Sequence, residues 1–231
     1  MAPVLVLLAH PDLRLSRVNR ALLDAARALA ATPGTDIEVR DLYALYPDYV
    51  IDVPAEQAAC ERARLIVWQH PVHWYAMPPL MKLWLDEVLT LGWAYGRGGA
   101  ALRGKDVWLV ASTGGAEATY RPEGYNRHGF DAFLPPYEQT AALCGLRFLP
   151  PLLLHGAHAI GTDALQRHVA TYRERLARYP DWPELAGLGP CPACDMPPGD
   201  RPADPRGAER AAAASGRPGS GAALPAGGGR P

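Results

Sequence analysis

Residues Val67 to Val88 read VWQHPVHWYAMPPLMKLWLDEV and join a strand pattern to a helix pattern through an aromatic loop. The apolar, β-branched run from Leu65 to Trp68 is typical of a parallel strand that is covered on both faces. Pro78 and Pro79 suit the first turn of a helix, where a missing N–H group has no partner to lose. Because open α/β sheets bind ligands at the carboxyl ends of their strands, the intervening loop is a candidate site. The residues of that loop are His70, Pro71, Val72, His73, Trp74 and Tyr75.

The helix that begins at Pro78 carries two apolar rows. One row repeats at i, i+3 and i+4 and predicts the face that packs on the sheet. The other row is spare, so we expect it to form an interface between two copies of the chain. Such a homodimer would use the helix from Leu80 to Leu91, and its interface would wall the ligand site. The first row is Leu80, Leu83, Trp84, Val88 and Leu91, and the second is Met81, Leu85 and Leu89.

The composition limits the classes of protein to be considered. The 231-residue chain has a formal net charge of −1, which gives no electrostatic support for binding nucleic acid or an anionic membrane. The sequence lacks a basic leader and any run near the roughly 18 apolar residues of a spanning helix, so we expect a cytoplasmic protein. From Pro180 onward Pro, Gly, Ala and Arg dominate, and Trp182 is the only aromatic residue. We therefore predict one folded domain over residues 1–179 and a disordered tail over residues 180–231.

The four cysteines do not predict a metal site. Cys60 and Cys144 lie singly in helical patterns and are typical of small buried hydrophobic residues. Cys191 and Cys194 form C-P-A-C in the tail, but a zinc site needs four ligands, and no second pair completes the set. We expect no bound metal.

Strand patterns alternate with helix patterns along the predicted domain, which is the arrangement of a doubly wound α/β sheet with parallel strands. Ser16 is suited to cap the first helix. We expect Pro150 and Pro151 to interrupt the chain before a short last strand, and Thr162 to cap the last helix. The predicted strands are 4–9, 36–42, 65–68, 107–112 and 152–155, and the predicted helices are 17–31, 54–62, 78–91, 131–144 and 162–177.

Three of these strands end in loops that carry ligand-binding groups. In a sheet of order 2-1-3-4-5 the ends of strands 1, 3 and 4 surround the switch point, where such sheets bind ligands. The first loop offers Ser16 and the free amides of Arg17 to Asn19 at a helix N-terminus, which suits a phosphate. The third loop offers the hydroxyls of Ser112 and Thr113, and glycines that allow backbone amides to approach a flat ring. A phosphate site and a ring slot with aromatic walls predict flavin mononucleotide (FMN) better than a dinucleotide.

Motifs of other nucleotide sites are missing or misplaced. No G-x-G-x-x-G follows the first strand, which argues against a Rossmann dehydrogenase, and no G-x-S-x-G elbow is present. Residues 99–105 read GAALRGK and imitate a phosphate-binding loop, but they precede a strand, and Asp106 replaces the magnesium-binding Ser or Thr. We interpret this stretch as a surface loop.

Five motifs occur in order along the predicted domain: A-H-P at Ala9 to Pro11 with Ser16 and Asn19, W-Q-H-P-x-x-W-Y at Trp68 to Tyr75, P-P-L-x-K-L-W-x-D at Pro78 to Asp86, G-W-A-Y-G-x-G-G at Gly92 to Gly99, and T-G-G at Thr113 to Gly115. In these motifs the chain resembles the flavodoxin-like NAD(P)H:quinone oxidoreductases. It resembles most closely the ancillary subunits of glutathione-regulated potassium-efflux systems, the Kef type. The tail from Pro180 has no counterpart in the resemblance.

The resemblance implies a flavodoxin-like five-stranded sheet in a cytoplasmic FMN homodimer. Such an enzyme takes hydride from NAD(P)H and passes two electrons to a quinone, in some relatives while it is docked on a membrane antiporter. The alternative is a regulatory subunit that activates a potassium/proton antiporter, with its flavin as a sensor. Carried over residue by residue, the FMN contacts are His10, Ser16, Arg17, Val18, Asn19, Val72, His73, Trp74, Tyr75, Ser112, Thr113, Gly114 and Gly115.

The resemblance also implies catalytic roles for Tyr120 and His128. In mammalian-type quinone reductases a Tyr five residues after T-G-G, and a His further on, handle the charge that arrives on the flavin; Tyr120 has this spacing from Gly115, whereas His128 lies two residues further out. Preorganised donors at that edge of the ring would lower the barrier. The alternative is that Tyr120 and His128 are loop residues that face solvent.

Overall fold

The computed structural model describes residues 2–189, which contain a five-stranded sheet. All its strands run parallel in the order β2-β1-β3-β4-β5, so the predicted fold class and strand order are confirmed. The strands are β1 (Val4–Leu8), β2 (Ile37–Asp41), β3 (Leu65–Pro71), β4 (Asp106–Ser112) and β5 (Arg147–Leu154). The helices are α1 (Arg17–Ala30), α2 (Leu42–Leu45), α3 (Val53–Arg62), α4 (Pro79–Val88), α5 (Pro135–Leu143) and α6 (Thr162–Arg178).

Helices cover both faces of the sheet. Every residue of β1, β3 and β4 is buried, because successive side chains point to opposite faces and neither face meets solvent. Leu5 and Leu7 of β1 join the core that includes residues of α3, α4 and α5. Val4 and Val6 join the opposite core, which includes residues of α1 and α6. This packing explains why the three central strands appear in the sequence as continuous apolar runs.

Strand β5 does not break at its two prolines, so the predicted interruption was wrong. The strand continues through Pro150 and Pro151 and pairs with β4 on one side, with a register shift between Trp108 and Val110. Proline has no N–H group to donate to a neighbouring strand. Because β5 lies at the edge of the sheet, one of its sides has no neighbouring strand, and proline is tolerated there. The Pro150 carbonyl also accepts a hydrogen bond of 3.1 Å from the indole of Trp108.

Two helix predictions also need correction. The predicted helix 131–144 begins instead as a separate 3₁₀ turn over Phe130–Phe133, and α5 starts after it at Pro135. Thr162 is the first residue of α6 and not its cap, because the cap position belongs to Gly161, which offers no side-chain oxygen.

The second apolar row of α4 is not spare. Met81, Leu85 and Leu89 are 1%, 7% and 9% exposed, so the second row is buried within one chain. The core they join includes Leu42 of α2 and Cys60 of α3. The short helix α2 was not predicted from the sequence, so the row had no predicted partner within the chain. The argument for a homodimer through the Leu80 to Leu91 helix was wrong in this respect.

A buried carboxylate fixes α4 to its neighbours. The Glu56 side chain has no exposed surface and accepts hydrogen bonds from Arg40 Nε at 2.9 Å and from Trp84 Nε1 at 2.8 Å. The hydroxyl of Tyr46 also donates to it. A buried charge is tolerated when it is paired and hydrogen-bonded in this way. The cluster joins β2, α3 and α4.

The folded part of the chain continues past Tyr179. Trp182 is 5% exposed, and its ring centroid lies 4.9 Å from that of Trp108. Its indole N–H donates to the Arg175 carbonyl oxygen at 2.7 Å, and a 3₁₀ turn over Pro183–Gly187 buries Leu185. The domain boundary predicted after residue 179 therefore lies too early. Residues 190–231, which contain the C-P-A-C pair and most of the predicted tail, lie outside the described part of the chain.

No helix within residues 2–189 combines the length and the apolar character needed to span a bilayer.

Candidate functional site

A cleft opens at the carboxyl ends of β1, β3 and β4, where the three predicted loops meet. Its open space is about 650 Å³ including the mouth, which is room for a ligand much larger than a single ion. No group of three or more potential metal ligands occurs in the described residues. The cleft is lined by His10, Leu15, Ser16, Arg17, Val18, Asn19, Pro71, Val72, His73, Ser112, Thr113, Gly114, Ala157 and His158.

The first loop presents the N-terminus of α1 to the cleft. Ser16 Oγ caps the helix by accepting the Asn19 amide at 3.1 Å, so the expectation that the Asn19 amide is free was wrong. The amides of Arg17 and Val18 have no partner within the helix, since they belong to its first turn. The Ser16 hydroxyl hydrogen also remains available for a ligand. The Arg17 guanidinium donates to the Ile160 carbonyl oxygen at 3.1 Å.

Asn19 is buried beneath the cleft and connects its three loops through hydrogen bonds. Its side chain is 1% exposed, and Nδ2 donates to Ser112 Oγ at 3.0 Å. Its backbone carbonyl accepts from Gln69 Nε2 at 3.2 Å, and Gln69 in turn accepts from the Tyr172 hydroxyl at 2.8 Å. This network holds the ends of α1, β3 and β4 together, and Asn19 therefore positions other residues of the cleft.

The middle loop is a tight turn with a strained backbone. His73 and Ala76 exchange two backbone hydrogen bonds, and the central residues Trp74 and Tyr75 have φ values of 49° and 64°. Turns of this kind favour Asn and Gly, because a left-handed conformation costs other residues about 1–2 kcal/mol each. Trp74 is nevertheless 93% exposed. Strain held in an exposed aromatic turn is a feature of binding sites.

Trp74 and Tyr75 lie at the rim of the cleft and do not line it. The Tyr75 ring stacks on Phe133 at 5.2 Å between centroids, and its hydroxyl donates to Asn126 Oδ1 at 3.3 Å. His70, which the sequence assigned to this loop, lies instead within β3 and is fully buried. Strand β3 is three residues longer than predicted, because its pairing with β4 continues to Pro71 and Ser112.

His10 is an uncharged donor at neutral pH. The Asp12 amide donates to His10 Nδ1 at 3.1 Å, so we assign the ring hydrogen of the neutral form to Nε2. Burial lowers the pKa of His10, and the neighbouring His73 lowers it further. The two imidazole rings meet edge to face with centroids 6.5 Å apart.

Two glycines of the third loop leave room for neighbouring side chains. A Cβ atom on Gly114 would lie 2.8 Å from His158 Nε2, and one on Gly115 would lie 2.6 Å from the Tyr125 hydroxyl. The loop is therefore closed on one side by the segment after β5 and on the other by the connection that follows Gly115. Gly115 itself does not line the cleft.

Tyr120 and His128, predicted to act together, are not in ring contact within the described chain. The Tyr120 ring packs against Phe130 and His155, with centroid distances of 5.3 and 5.1 Å. The exposed ring of His128 instead meets Phe133 at 6.3 Å. Burial raises the pKa of Tyr120, so the phenol is protonated at neutral pH.

Sequence reasoning missed a fourth loop. Ala157 and His158 follow β5 and line the cleft. Leu15, which precedes α1, and Pro71, which ends β3, also line it. The signal was present, since His155 and His158 follow an apolar strand of a parallel sheet, where side chains at the carboxyl end face the ligand site. The predicted site was limited to the ends of the three central strands, whereas this loop follows the edge strand.

The comparisons with known proteins agree with this fold and site. Residues 2–177 match a family described as having a flavodoxin-like fold. The glutathione-regulated potassium-efflux system ancillary protein KefF of Citrobacter koseri is 46% identical over 176 residues, which cover 76% of this chain and 96% of KefF. The protein is thus a flavodoxin-like α/β protein. It belongs to the flavodoxin-like family, and its predicted resemblance to the Kef-type ancillary proteins is confirmed.

Solved structures show the same fold under several names. General stress protein 14 of Treponema denticola, in complex with FMN, is 39% identical, with a TM-score of 0.67 over 76% of this chain and 96% of that chain. An NADPH-quinone reductase from P. pentosaceus is 25% identical, with a TM-score of 0.67 over 77% and 98%. A chain described as a thermophilic tryptophan halogenase from Streptomycin violaceusniger is 42% identical, with a TM-score of 0.69 over 75% and 98%. These proteins share one fold, but their names do not indicate a single activity.

Proposed function

We propose that the protein is an FMN-dependent NAD(P)H:quinone oxidoreductase. The observation that carries this proposal is that one cleft combines the Ser16-capped N-terminus of α1 with the Ser112 to Gly114 loop. The similarity to a structure that contains FMN and to one described as an NADPH-quinone reductase supports the cofactor and the reaction class.

The residues present fit FMN at both of its ends. The amides of Arg17 and Val18, the Ser16 hydroxyl and the positive end of the helix dipole would bind the phosphate without a lysine. The backbone and hydroxyls of the third loop would bind the polar edge of the ring, because Gly114 lets the chain approach it closely. The strained Trp74 and Tyr75 turn would cover the rim of the ring. When bound, FMN supplies a two-electron carrier between NAD(P)H and the quinone.

The protein's own contribution is to position hydrogen-bond donors and to exclude water. At neutral pH the His10 ring carries its hydrogen on Nε2 and Tyr120 carries its hydroxyl hydrogen, so both side chains are hydrogen-bond donors. Donors that are already oriented towards developing negative charge stabilise it without solvent reorganisation. The rings of Tyr75, Phe130 and Phe133 pack against one another and would shield the bound flavin from water on the side of Tyr120.

The test is NADH and NADPH oxidation by the purified protein, with and without added FMN and a quinone. We expect a yellow protein whose oxidation of NAD(P)H requires both FMN and quinone. The matched control is Ser16→Asp, which keeps the helix cap but places a carboxylate against the phosphate. A folded parent protein that neither binds FMN at micromolar concentration nor oxidises NAD(P)H would refute the proposal.

The second candidate is a regulatory subunit of a potassium-efflux antiporter. The 46% identity with KefF, over 96% of that protein, favours this role. The protein would then act in the cytoplasm, at the inner face of the membrane, with its flavin as a sensor. Potassium efflux should be measured in cells that contain the antiporter and either the parent or Ser16→Asp. Activation by both forms would support docking without flavin chemistry, whereas activation by neither would refute the regulatory role.

A homodimer remains part of the proposal, but it requires a surface other than the second apolar row of α4, which is buried. Trp74 and Tyr125 are 93% and 70% exposed, and they flank the bonded pair Tyr75 and Asn126 at the rim of the cleft. Exposed aromatic clusters of this kind are characteristic of protein interfaces. A second copy on this rim would cover the aromatic turn and wall the flavin site. Light scattering that gave a monomer at every concentration, with full activity, would refute it.

A further inference from the structure

Tyr120 has no regular secondary structure to hold its side chain. It follows a single 3₁₀ turn, and its ring is fixed by Phe130, Phe133 and His155. Phe130 and Phe133 belong to the same long connection as Tyr120, so they would move with it. His155 directly follows β5, and its neighbours Leu154 and Gly156 are hydrogen-bonded to the loop that follows β4. It is therefore the contact that ties Tyr120 to the rigid part of the fold.

The backbone around His155 is anchored to the third loop on both sides. The Thr113 amide donates to the Leu154 carbonyl at 2.8 Å, and the Gly156 amide donates to the Gly115 carbonyl at 2.8 Å. The Ala157 amide also donates to the Thr113 carbonyl at 2.9 Å. A side chain between such anchors has a defined position, which a site on a mobile loop lacks.

The hydrogen bonds of the Thr113 hydroxyl indicate the tautomer of the His155 imidazole. Thr113 Oγ1 lies 2.8 Å from the Gly115 carbonyl oxygen and 2.9 Å from His155 Nδ1. Because a carbonyl only accepts, the Thr113 hydroxyl donates its single hydrogen to Gly115, and we therefore assign a hydrogen to His155 Nδ1, which donates to Thr113. Burial lowers the pKa of His155, and Glu117 raises it to a smaller extent, so the ring is neutral at pH 7 with Nε2 unprotonated.

We propose that His155 is a positioning residue for Tyr120 in the proposed flavin reduction, because its Nδ1–H group holds the Thr113 hydroxyl while its ring packs against the Tyr120 ring. The sequence resemblance assigned the imidazole partner of Tyr120 to His128 instead. This inference rests on the proposed function and names a residue of the same site. His155 acts through Thr113 and Tyr120 and does not line the cleft itself.

Stopped-flow measurement of FMN reduction by NADH tests the role. His155→Phe keeps a ring but lacks the donor, and we expect reduction to slow about tenfold, with FMN affinity unchanged, as a slightly misplaced group would cause. His155→Asn places an N–H group near the position of Nδ1 and should restore part of the rate. His168→Gln, at a partly buried histidine of α6 outside the cleft, is the matched control and should behave as the parent.

A second measurement does not depend on activity. Nitrogen NMR of the histidine side chains in the flavin-free protein should show His155 protonated on Nδ1, and Thr113→Val should abolish this preference. A hydrogen on Nε2 in the parent would overturn the proposal. It would also be overturned if Tyr120→Phe or His128→Gln slowed reduction while His155→Phe did not. A parent protein that does not bind or reduce FMN would refute the proposed function itself, a distinct result that needs no variant.

Discussion

Asn19 Nδ2 donates to Ser112 Oγ over 3.0 Å, and this bond joins residues that are 93 positions apart in the chain. Both side chains are almost completely buried, so neither can exchange its partner for water. The bond fixes the N-terminus of α1 against the end of β4, and these two segments form opposite walls of the cleft. The distance between the proposed phosphate and ring sites therefore depends on this contact.

We expect Asn19→Ala to lower the free energy of unfolding by about 1–3 kcal/mol, because it leaves a buried Ser112 hydroxyl without its donor. Urea denaturation of the flavin-free parent, Asn19→Ala, Ser112→Ala and the double variant gives the coupling energy. We expect a coupling of about 0.5–1.5 kcal/mol. Strictly additive effects would show that the two side chains do not interact.

Ser16→Asp and Ser16→Asn separate helix capping from charge. Both replacements are good caps, so the melting temperature of the flavin-free protein should stay near that of the parent. Only the carboxylate opposes a phosphate: at an effective dielectric constant of about 20, like charges about 4 Å apart repel by about 4 kcal/mol. FMN affinity, measured by fluorescence titration, should fall at least about a hundredfold in Ser16→Asp alone. Equal FMN affinities in the two variants would show that the phosphate does not bind at the N-terminus of α1.

Trp74→Asn should stabilise the protein and weaken its binding function. Asn tolerates the left-handed conformation, and the exposed Trp74 ring contributes little packing, so relief of strain should add about 1 kcal/mol. Trp74→Val, with a branched side chain, should instead lower the melting temperature. Calorimetry, FMN titration and light scattering of the two variants test this prediction. Higher stability with unchanged FMN affinity and unchanged association would mean that the strain serves neither proposal.

His70 makes the stability of the protein depend on pH. Full burial lowers the pKa of this imidazole from 6.5 to about 4, so the unfolded chain binds the proton first as the pH falls. The sign is therefore a loss of stability on acidification, which begins near pH 6.5 and reaches about 3 kcal/mol by pH 4. Urea denaturation should show a shallower dependence over this range for His70→Gln than for the parent. Parallel curves would contradict the assignment of the effect to His70.

Truncation after Tyr179 should destabilise the protein, contrary to what the composition of this segment predicts. It removes Trp182, and loss of a buried Trp costs about 3–5 kcal/mol. At this chain length the melting temperature should fall by roughly 10 °C. Truncation after Gly189 is the matched control and retains the whole described structure. Equal melting temperatures for the two truncated forms would show that Trp182 does not stabilise the domain.

The sequence could predict the sheet because its signals are local. Continuous apolar runs at β1, β3 and β4 require burial on both faces, and that requirement alone indicates parallel central strands. The Ser16 cap was likewise predictable, since it satisfies an amide only three residues away. Ten of the thirteen predicted FMN contacts line the cleft, because each directly follows a recognisable strand or begins a helix.

The remaining features depend on which segments pack together, and no local pattern determines this. Met81 and Leu85 had no predicted partner, but in the structure they share a core with residues of α2 and α3. Trp182 lies in a segment whose composition predicts disorder, but it packs against Trp108, 74 positions earlier in the chain. The sequence by itself determined the fold, the cleft and the helix terminus that suits a phosphate. Only the tertiary structure decided that His155, and not His128, lies beside Tyr120, because a contact between the end of β5 and a distant loop arises from chain packing and not from residue spacing.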